Sequence, residues 1–146
     1  MDRRLVLTAA VAAVLALAGC NTMKQMTGSG GYTQGVALSG AHEVPPVSTS
    51  ASGSGTVTVN ADHTVVASIT VKGMNPTAAH IHEAAAGANG PVIVPFVKQG
   101  EDTFVAAPGA KMTDAQYDAF KAGRTYVNVH SASHPSGEIR AQLKGE

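Results

Sequence analysis

Cysteine, tryptophan and charge are scarce in this chain of 146 residues. It has one Cys and no Trp, and aromatic residues make up only 4% of it. A single Cys cannot form an intramolecular disulfide or a thiolate metal cluster. Ten basic residues balance ten acidic ones, so the chain lacks the basic surface and the aromatic platform with which proteins bind nucleic acids. We therefore expect no nucleic-acid partner.

The first twenty residues predict a signal peptide followed by a lipid attachment site. Arg3 and Arg4 precede an uncharged apolar run over residues 5–18, and the residues Leu-Ala-Gly-Cys follow at 17–20. The run has about 14 residues, fewer than the roughly 20 that cross a bilayer, which is typical of a cleaved signal peptide. We expect residues 1–19 to be removed and Cys20, which has the only thiol, to take the lipid.

This pattern resembles the lipobox of bacterial lipoproteins. The resemblance implies a lipid anchor that holds the protein outside the cytoplasm. Asn21, in place of Asp after the cysteine, implies sorting to the outer membrane, with the domain facing the periplasm or the cell surface. The alternative is an ordinary secretory signal with an incidental cysteine.

The remainder predicts a tether and one small domain. Residues 20–31 are polar and glycine-rich and indicate a flexible tether. Residues 32–146, about 115 in number, suffice for a single domain. A capping box formed by Thr113 and Gln116, with Gly123 at the far end, predicts one short helix. Alternating apolar residues predict strands at 32–38, 55–59, 64–71, 78–82, 92–97, 103–106, 125–130 and 138–143.

Many short strands at regular spacing are typical of an all-β fold, here with one short helix. We expect an antiparallel β-sandwich or a Greek-key barrel.

Three histidines are predicted to face the same side of the sheet. His80 and His82 are two residues apart on one strand, so both rings project from one face with backbones roughly 7 Å apart. His130 ends another strand, and Arg140 is expected on the same polar side. Three imidazoles without a thiolate suit copper, with zinc as the alternative.

A purely structural role for these histidines also remains open: they could be ordinary polar residues that hydrogen-bond to loops. We expect the remaining histidines, His42, His63 and His134, to be loop residues, with a role as a fourth metal ligand as the alternative for His42 or His134.

Five short motifs follow one another along the chain: LSGAHEVPP (38–46), AAHIH (78–82), NGPV (89–92), YVNVH (126–130) and GEIR (137–140). Together they resemble the motifs of the CHRD domain, which is named after chordin. The resemblance covers residues 35–143 and implies an extracytoplasmic β domain without fixing an activity.

A looser similarity connects the chain with copper–zinc superoxide dismutases. Those β-sandwich proteins also present an H-x-H pair, a later histidine at a strand end and an arginine near the C-terminus. The similarity implies that His80, His82 and His130 hold copper, which alternates between Cu(II) and Cu(I), and that Arg140 attracts the superoxide anion. This chain departs from the pattern because it has no disulfide cysteines and no evident zinc subsite.

The leading hypothesis is therefore a lipid-anchored copper-binding domain, with superoxide dismutation as its candidate reaction. Two alternatives stay open. One is a non-catalytic module that binds an envelope protein, and the other is a metal buffer without turnover.

Overall fold

A computed structural model describes residues 25–27 and 30–145, which form nine strands and one helix. A short 3₁₀ turn covers Gly40–His42. The strands are β1 Gln25–Thr27, β2 Gly31–Ser39, β3 Ser52–Val59, β4 Val65–Lys72, β5 Pro76–His82, β6 Val92–Gln99, β7 Thr103–Ala106, β8 Thr125–Ser131 and β9 Ile139–Leu143, and helix α1 is Asp114–Lys121.

Eight of the strands close into an antiparallel barrel. Their order is β2-β3-β4-β7-β6-β5-β8-β9, and β9 returns to β2 where Ser39 pairs with Arg140. The chain crosses from β4 to β5 and then fills the space between them with β6 and β7, which is a Greek-key connection. The expected all-β fold with one short helix is confirmed, and of the two architectures the barrel is the one observed.

Strand alternation explains the core. In β4 the odd-numbered residues Val65 to Val71 are buried and the even-numbered ones are exposed. Helix α1 adds Phe120, which is fully buried and lies 6.4 Å from Tyr32 between ring centroids. The helix begins at the predicted capping box of Thr113 and Gln116, and Gly123 follows it at φ 71°. Both signals are confirmed.

The sheet formed by β5, β8 and β9 has two different faces. The buried apolar face consists of Ala79, Ile81, Val127, Val129, Ile139 and Ala141. On the other face, His80 pairs in register with Asn128 and then Arg140, and His82 pairs with Tyr126 and then Gln142. The outer side of this sheet is thus a polar layer, and it is contacted by the loops at residues 40–51, 83–91 and 132–138.

The N-terminal region is described only in part. The predicted signal peptide and the predicted lipid site at Cys20 lie outside the described residues. Strand β1 falls within the segment predicted to be a tether, where Gln25 pairs with Thr33. An edge strand of this kind is held by backbone hydrogen bonds, so it needs no apolar alternation to form. Among residues 25–27 and 30–145, no helix is long and apolar enough to cross a bilayer.

Candidate metal centre

Three imidazoles converge on the outer face of β5 and β8. Each of His80, His82 and His130 offers one ring nitrogen, and the three nitrogens lie within 4.8 Å of one another. Nδ1 of His80 is 3.0 Å from Nε2 of His130. The ring centroids are 4.9 to 5.8 Å apart. The predicted cluster is therefore present as a set of side chains.

Backbone carbonyls fix the tautomers of two of these rings. Nδ1 of His82 donates to the Gly90 carbonyl at 2.9 Å, and Nδ1 of His130 donates to the Pro135 carbonyl at 3.0 Å. Because a carbonyl only accepts, each Nδ1 must carry the proton, which leaves each Nε2 with a lone pair. Nε2 of His82 is buried and finds no hydrogen-bond partner among the described residues. This is the arrangement in which metal-binding histidines are usually held.

The surroundings keep the three rings neutral. Burial, followed by the nearby rings of His130 and His82, lowers the pKa of His80 from 6.5 to about 4. Burial also lowers the pKa of His82 and of His130, although the hydrogen bonds to Gly90 and Pro135 oppose it. Neutral imidazoles keep the lone pairs that a metal requires.

Glycine at position 90 is required by the loop that reaches His82. A Cβ atom there would lie 1.7 Å from the carbonyl oxygen of Glu83, so no other residue fits this backbone path. The Gly90 N–H donates to the hydroxyl of Tyr126 at 3.2 Å. The Tyr126 ring stacks on His82, with centroids 4.9 Å apart and planes 10° from parallel. One short segment thereby contacts both His82 and its aromatic neighbour Tyr126.

Arg140 lies beside the cluster, separated from it by Tyr126. Its guanidinium carbon is 3.4 Å from the centroid of the Tyr126 ring, and the residue is 1% exposed. Since β8 lies between β5 and β9, Arg140 approaches Tyr126 from the side opposite His82. Its N–H groups donate to the Ala88 carbonyl, the Asn89 side chain and the Gln142 side chain.

A buried polar network next to the site was missed by the sequence analysis. Asn128 is 1% exposed and donates a short hydrogen bond to the 6% exposed carboxyl of Glu43. Burial raises the pKa of Glu43, against the opposing effects of Asn128 and Arg140. Glu138, also 6% exposed, accepts hydrogen bonds from Thr49 at 2.7 Å and Ser131 at 2.5 Å.

A signal for this network was nevertheless present. The motifs HEVPP, YVNVH and GEIR contain Glu43, Asn128 and Glu138. Asn128 stands two residues before His130, so strand alternation puts both side chains on one face.

The other three histidines do not join the cluster. His63 stacks on Tyr117 with centroids 4.2 Å apart, and His42 lies 3.3 Å from the carbonyl of Arg140. The backbone of His134 bonds to Ser131.

A groove of about 720 Å³ lies between β2 and β9 and is lined by Gln34, Glu43 and Arg140 among others. None of the three clustered histidines lines it, so the groove is separate from the candidate metal centre.

A sequence model of the CHRD domain matches residues 35–143. This chain belongs to the CHRD domain family. The match includes every residue of the histidine cluster and of the polar network beside it. No curated protein and no solved structure gives a significant match.

Proposed function

We propose that this CHRD domain binds one copper ion through His80, His82 and His130 and is held outside the cytoplasm by lipid on Cys20. The observation that supports the metal site is the convergence of three ring nitrogens within 4.8 Å, two of them with their tautomer fixed by a backbone carbonyl. The buried Nε2 of His82 has no hydrogen-bond partner among the described residues, so its lone pair is available to a metal ion.

The donor set favours copper over zinc. The cluster consists of three neutral imidazoles and contains neither thiolate nor carboxylate. Affinity for divalent metals at nitrogen ligands is highest for copper, and a structural zinc site would usually have four protein ligands. Zinc remains the alternative occupant.

The candidate reaction is superoxide dismutation. Bound copper would supply a one-electron couple: one superoxide is oxidised to O₂, and a second takes that electron and two protons to give hydrogen peroxide. His82 and His130 are each 9% exposed and His80 is more open, so an anion would approach on the side of His80. The positive charge of Arg140 contributes to the field that attracts it.

Copper binding is tested by electron paramagnetic resonance on the purified protein loaded with Cu(II). We expect a nitrogen-rich spectrum that is lost in a His80→Ala, His130→Ala double variant. A His42→Ala, His134→Ala double variant removes two imidazoles outside the cluster and should keep the spectrum. Loss of the signal in both, or in neither, contradicts the assignment.

Turnover is tested separately, by superoxide decay with the loaded protein. Decay faster than that produced by the same amount of chelated copper supports dismutation. If the protein binds copper but superoxide decays no faster than with chelated copper, the protein is a metal buffer without turnover. A protein that binds no copper at all, but retains a partner in both double variants, would instead be a non-catalytic binding module.

The lipid anchor is tested by cell fractionation. The wild-type protein should appear in the outer-membrane fraction, whereas Cys20→Ser should release it in soluble form. Asn21→Asp keeps the thiol and should change the membrane in which the protein is found. A Cys20→Ser protein that stays in the membrane fraction rules out attachment through this residue.

A further inference from the structure

The loop at residues 83–91 is held against β9 by hydrogen bonds from side chains of that strand. Arg140 donates to the Ala88 carbonyl at 2.8 Å and to Oδ1 of Asn89 at 3.1 Å. Gln142 donates to the Ala84 carbonyl at 3.0 Å. Arg140 thus forms hydrogen bonds with the two residues that immediately precede Gly90.

Gly90 is the residue through which this loop reaches the metal centre. Its carbonyl accepts the Nδ1–H of His82, and its N–H donates to the hydroxyl of Tyr126. A displacement of the loop by a fraction of an ångström would lengthen both hydrogen bonds, since hydrogen bonds weaken steeply away from good geometry.

Arg140 also contacts His82 indirectly, through the ring of Tyr126. Its guanidinium lies over the Tyr126 ring, and the same ring stacks on His82. The side chain is 1% exposed and its N–H groups are engaged by three oxygen acceptors. These contacts suit a residue that holds its neighbours in place better than one that meets a diffusing anion.

We propose that Arg140 is a positioning residue: by holding Ala88 and Asn89 it places the Gly90 carbonyl that fixes the tautomer and orientation of His82. The role of His82 as a ligand rests on the proposed function, but the orientation of its ring does not. Arg140 then affects copper through His82 and adds to the field at the site without touching the substrate.

Asn89→Ala is the main test variant because Asn89 is exposed and its loss leaves the barrel core intact. Asn89→Asp keeps an oxygen that accepts from Arg140 but loses the donor to the Val44 carbonyl. The control is Asn60→Ala, which removes an asparagine hydrogen bond to Thr64 in the distant turn between β3 and β4. Arg140→Lys keeps the charge but cannot form the same set of hydrogen bonds.

The first measurement uses metal-free protein. Nitrogen-15 NMR should show His82 with its proton on Nδ1, slow to exchange with water. We expect faster exchange and a mixed tautomer in Asn89→Ala and Arg140→Lys, and the wild-type signal in Asn89→Asp and Asn60→Ala. Unchanged His82 signals in Asn89→Ala and Arg140→Lys would overturn the proposal, as would Asn89→Asp behaving like Asn89→Ala.

The second measurement uses Cu(II) and a competing chelator. Asn89→Ala should bind copper about tenfold more weakly, at the low end of the loss seen when an outer partner of a metal ligand is removed. If wild-type protein binds copper but Asn89→Ala matches Asn60→Ala, the positioning role is wrong and the metal site stands. If no copper binds while the His82 signals change as expected, the metal site is wrong and the positioning role stands.

Discussion

At the scale of single residues, His80 differs from the other two candidate ligands. Nδ1 of His80 faces Nε2 of His130, whose own proton is on Nδ1 because of the Pro135 carbonyl. In metal-free protein, His80 therefore donates from Nδ1 into the lone pair of His130. For Nδ1 of His80 to bind a metal, its proton must move to Nε2. If the proposed copper ion binds through this atom, His80 is the ring that changes tautomer.

The depressed pKa of His80 predicts how the stability of the metal-free protein depends on pH. The folded-state pKa is about 4 against 6.5 for an ordinary histidine, so between these values the unfolded chain binds a proton that the folded protein excludes. The free energy of unfolding should then be level above pH 6.5 and fall as the pH drops towards 4. We expect a loss of about 1–2 kcal/mol, after allowance for solvent screening at this partly open site.

Urea unfolding at pH 7, 5 and 4 measures this loss. His80→Gln should remove the part of the dependence that comes from His80 and leave a shallower slope from His82 and His130, whose pKa values burial also lowers. Asn60→Ala should keep the wild-type dependence on pH. A His80→Gln protein as sensitive to pH as the wild type would contradict the prediction.

Gly137 leaves the space that the Asn128 side chain occupies in the buried polar network. Its φ is 133°, and a Cβ atom there would lie 2.5 Å from both terminal atoms of the Asn128 side chain. Gly137→Ala combines backbone strain with this overlap and should lower the free energy of unfolding by about 2–4 kcal/mol. Gly87→Ala is the matched control, since its φ is 81° but a Cβ atom meets nothing within 4 Å, and it should cost roughly 1–2 kcal/mol. Equal losses in the two variants would show that crowding at Asn128 is unimportant.

At the scale of elements, helix α1 is the part that local sequence determines most completely. The Thr113 hydroxyl accepts from the N–H of Gln116 at 3.2 Å, and the Gln116 side chain accepts from the N–H of Thr113 at 2.9 Å. Thr113→Ala should lower the free energy of unfolding by about 1 kcal/mol, because it leaves an N-terminal N–H without its partner. Gln116→Ala removes only the reciprocal bond and should lose less. Thermal unfolding checks both, and an unchanged Thr113→Ala midpoint would contradict the capping role.

The strands were predictable where alternation or a turn marks them. The strand predicted at 103–106 coincides with β7, and the one predicted at 125–130 is one residue short of β8. Strand β3 begins three residues before its predicted start, in the glycine- and serine-rich stretch where apolar alternation is weak. Strand β1 was not predicted, because its polar sequence has no apolar alternation.

The side chains of the candidate site could be predicted from the sequence, but the backbone groups that contact them could not. The spacing of His80 and His82 and the strand-end position of His130 sufficed to predict which rings share a face. The carbonyls of Gly90 and Pro135 could not be predicted, because a backbone carbonyl is common to every residue and only the loop path selects one. The same holds for Glu43, whose contact with Asn128 joins residues 85 positions apart.

At the scale of the whole molecule, the Greek-key topology brings the candidate ligands together. His80 and His130 are 50 residues apart in the chain. They meet because β8 pairs with β5, although β6, β7 and α1 lie between these two strands in the sequence. The register pairs Ala78 with His130, one step along the strand face from His80. An unfolded chain would not hold these three rings within reach of one ion, so the metal should bind the folded barrel in preference.

Preferential binding to the folded state predicts a stabilisation that depends on metal concentration. At a free copper concentration 100 times the Kd, mass action should add about 2.7 kcal/mol to the free energy of unfolding. For a domain of this size, that corresponds to a rise in Tm of roughly 10 °C. Scanning calorimetry with and without copper measures it, and a chelator should return the Tm to its metal-free value.

The His80→Ala, His130→Ala double variant separates this effect from weak binding elsewhere on the surface. It should show no rise in Tm over the same range of copper concentrations, whereas the His42→Ala, His134→Ala double variant should respond like the wild type. Copper also binds histidines of unfolded chains, which lowers the apparent gain, so the comparison must be made between variants with equal numbers of histidines. Equal rises in the two double variants would show that the folded barrel has no preferred copper site at the junction of β5 and β8.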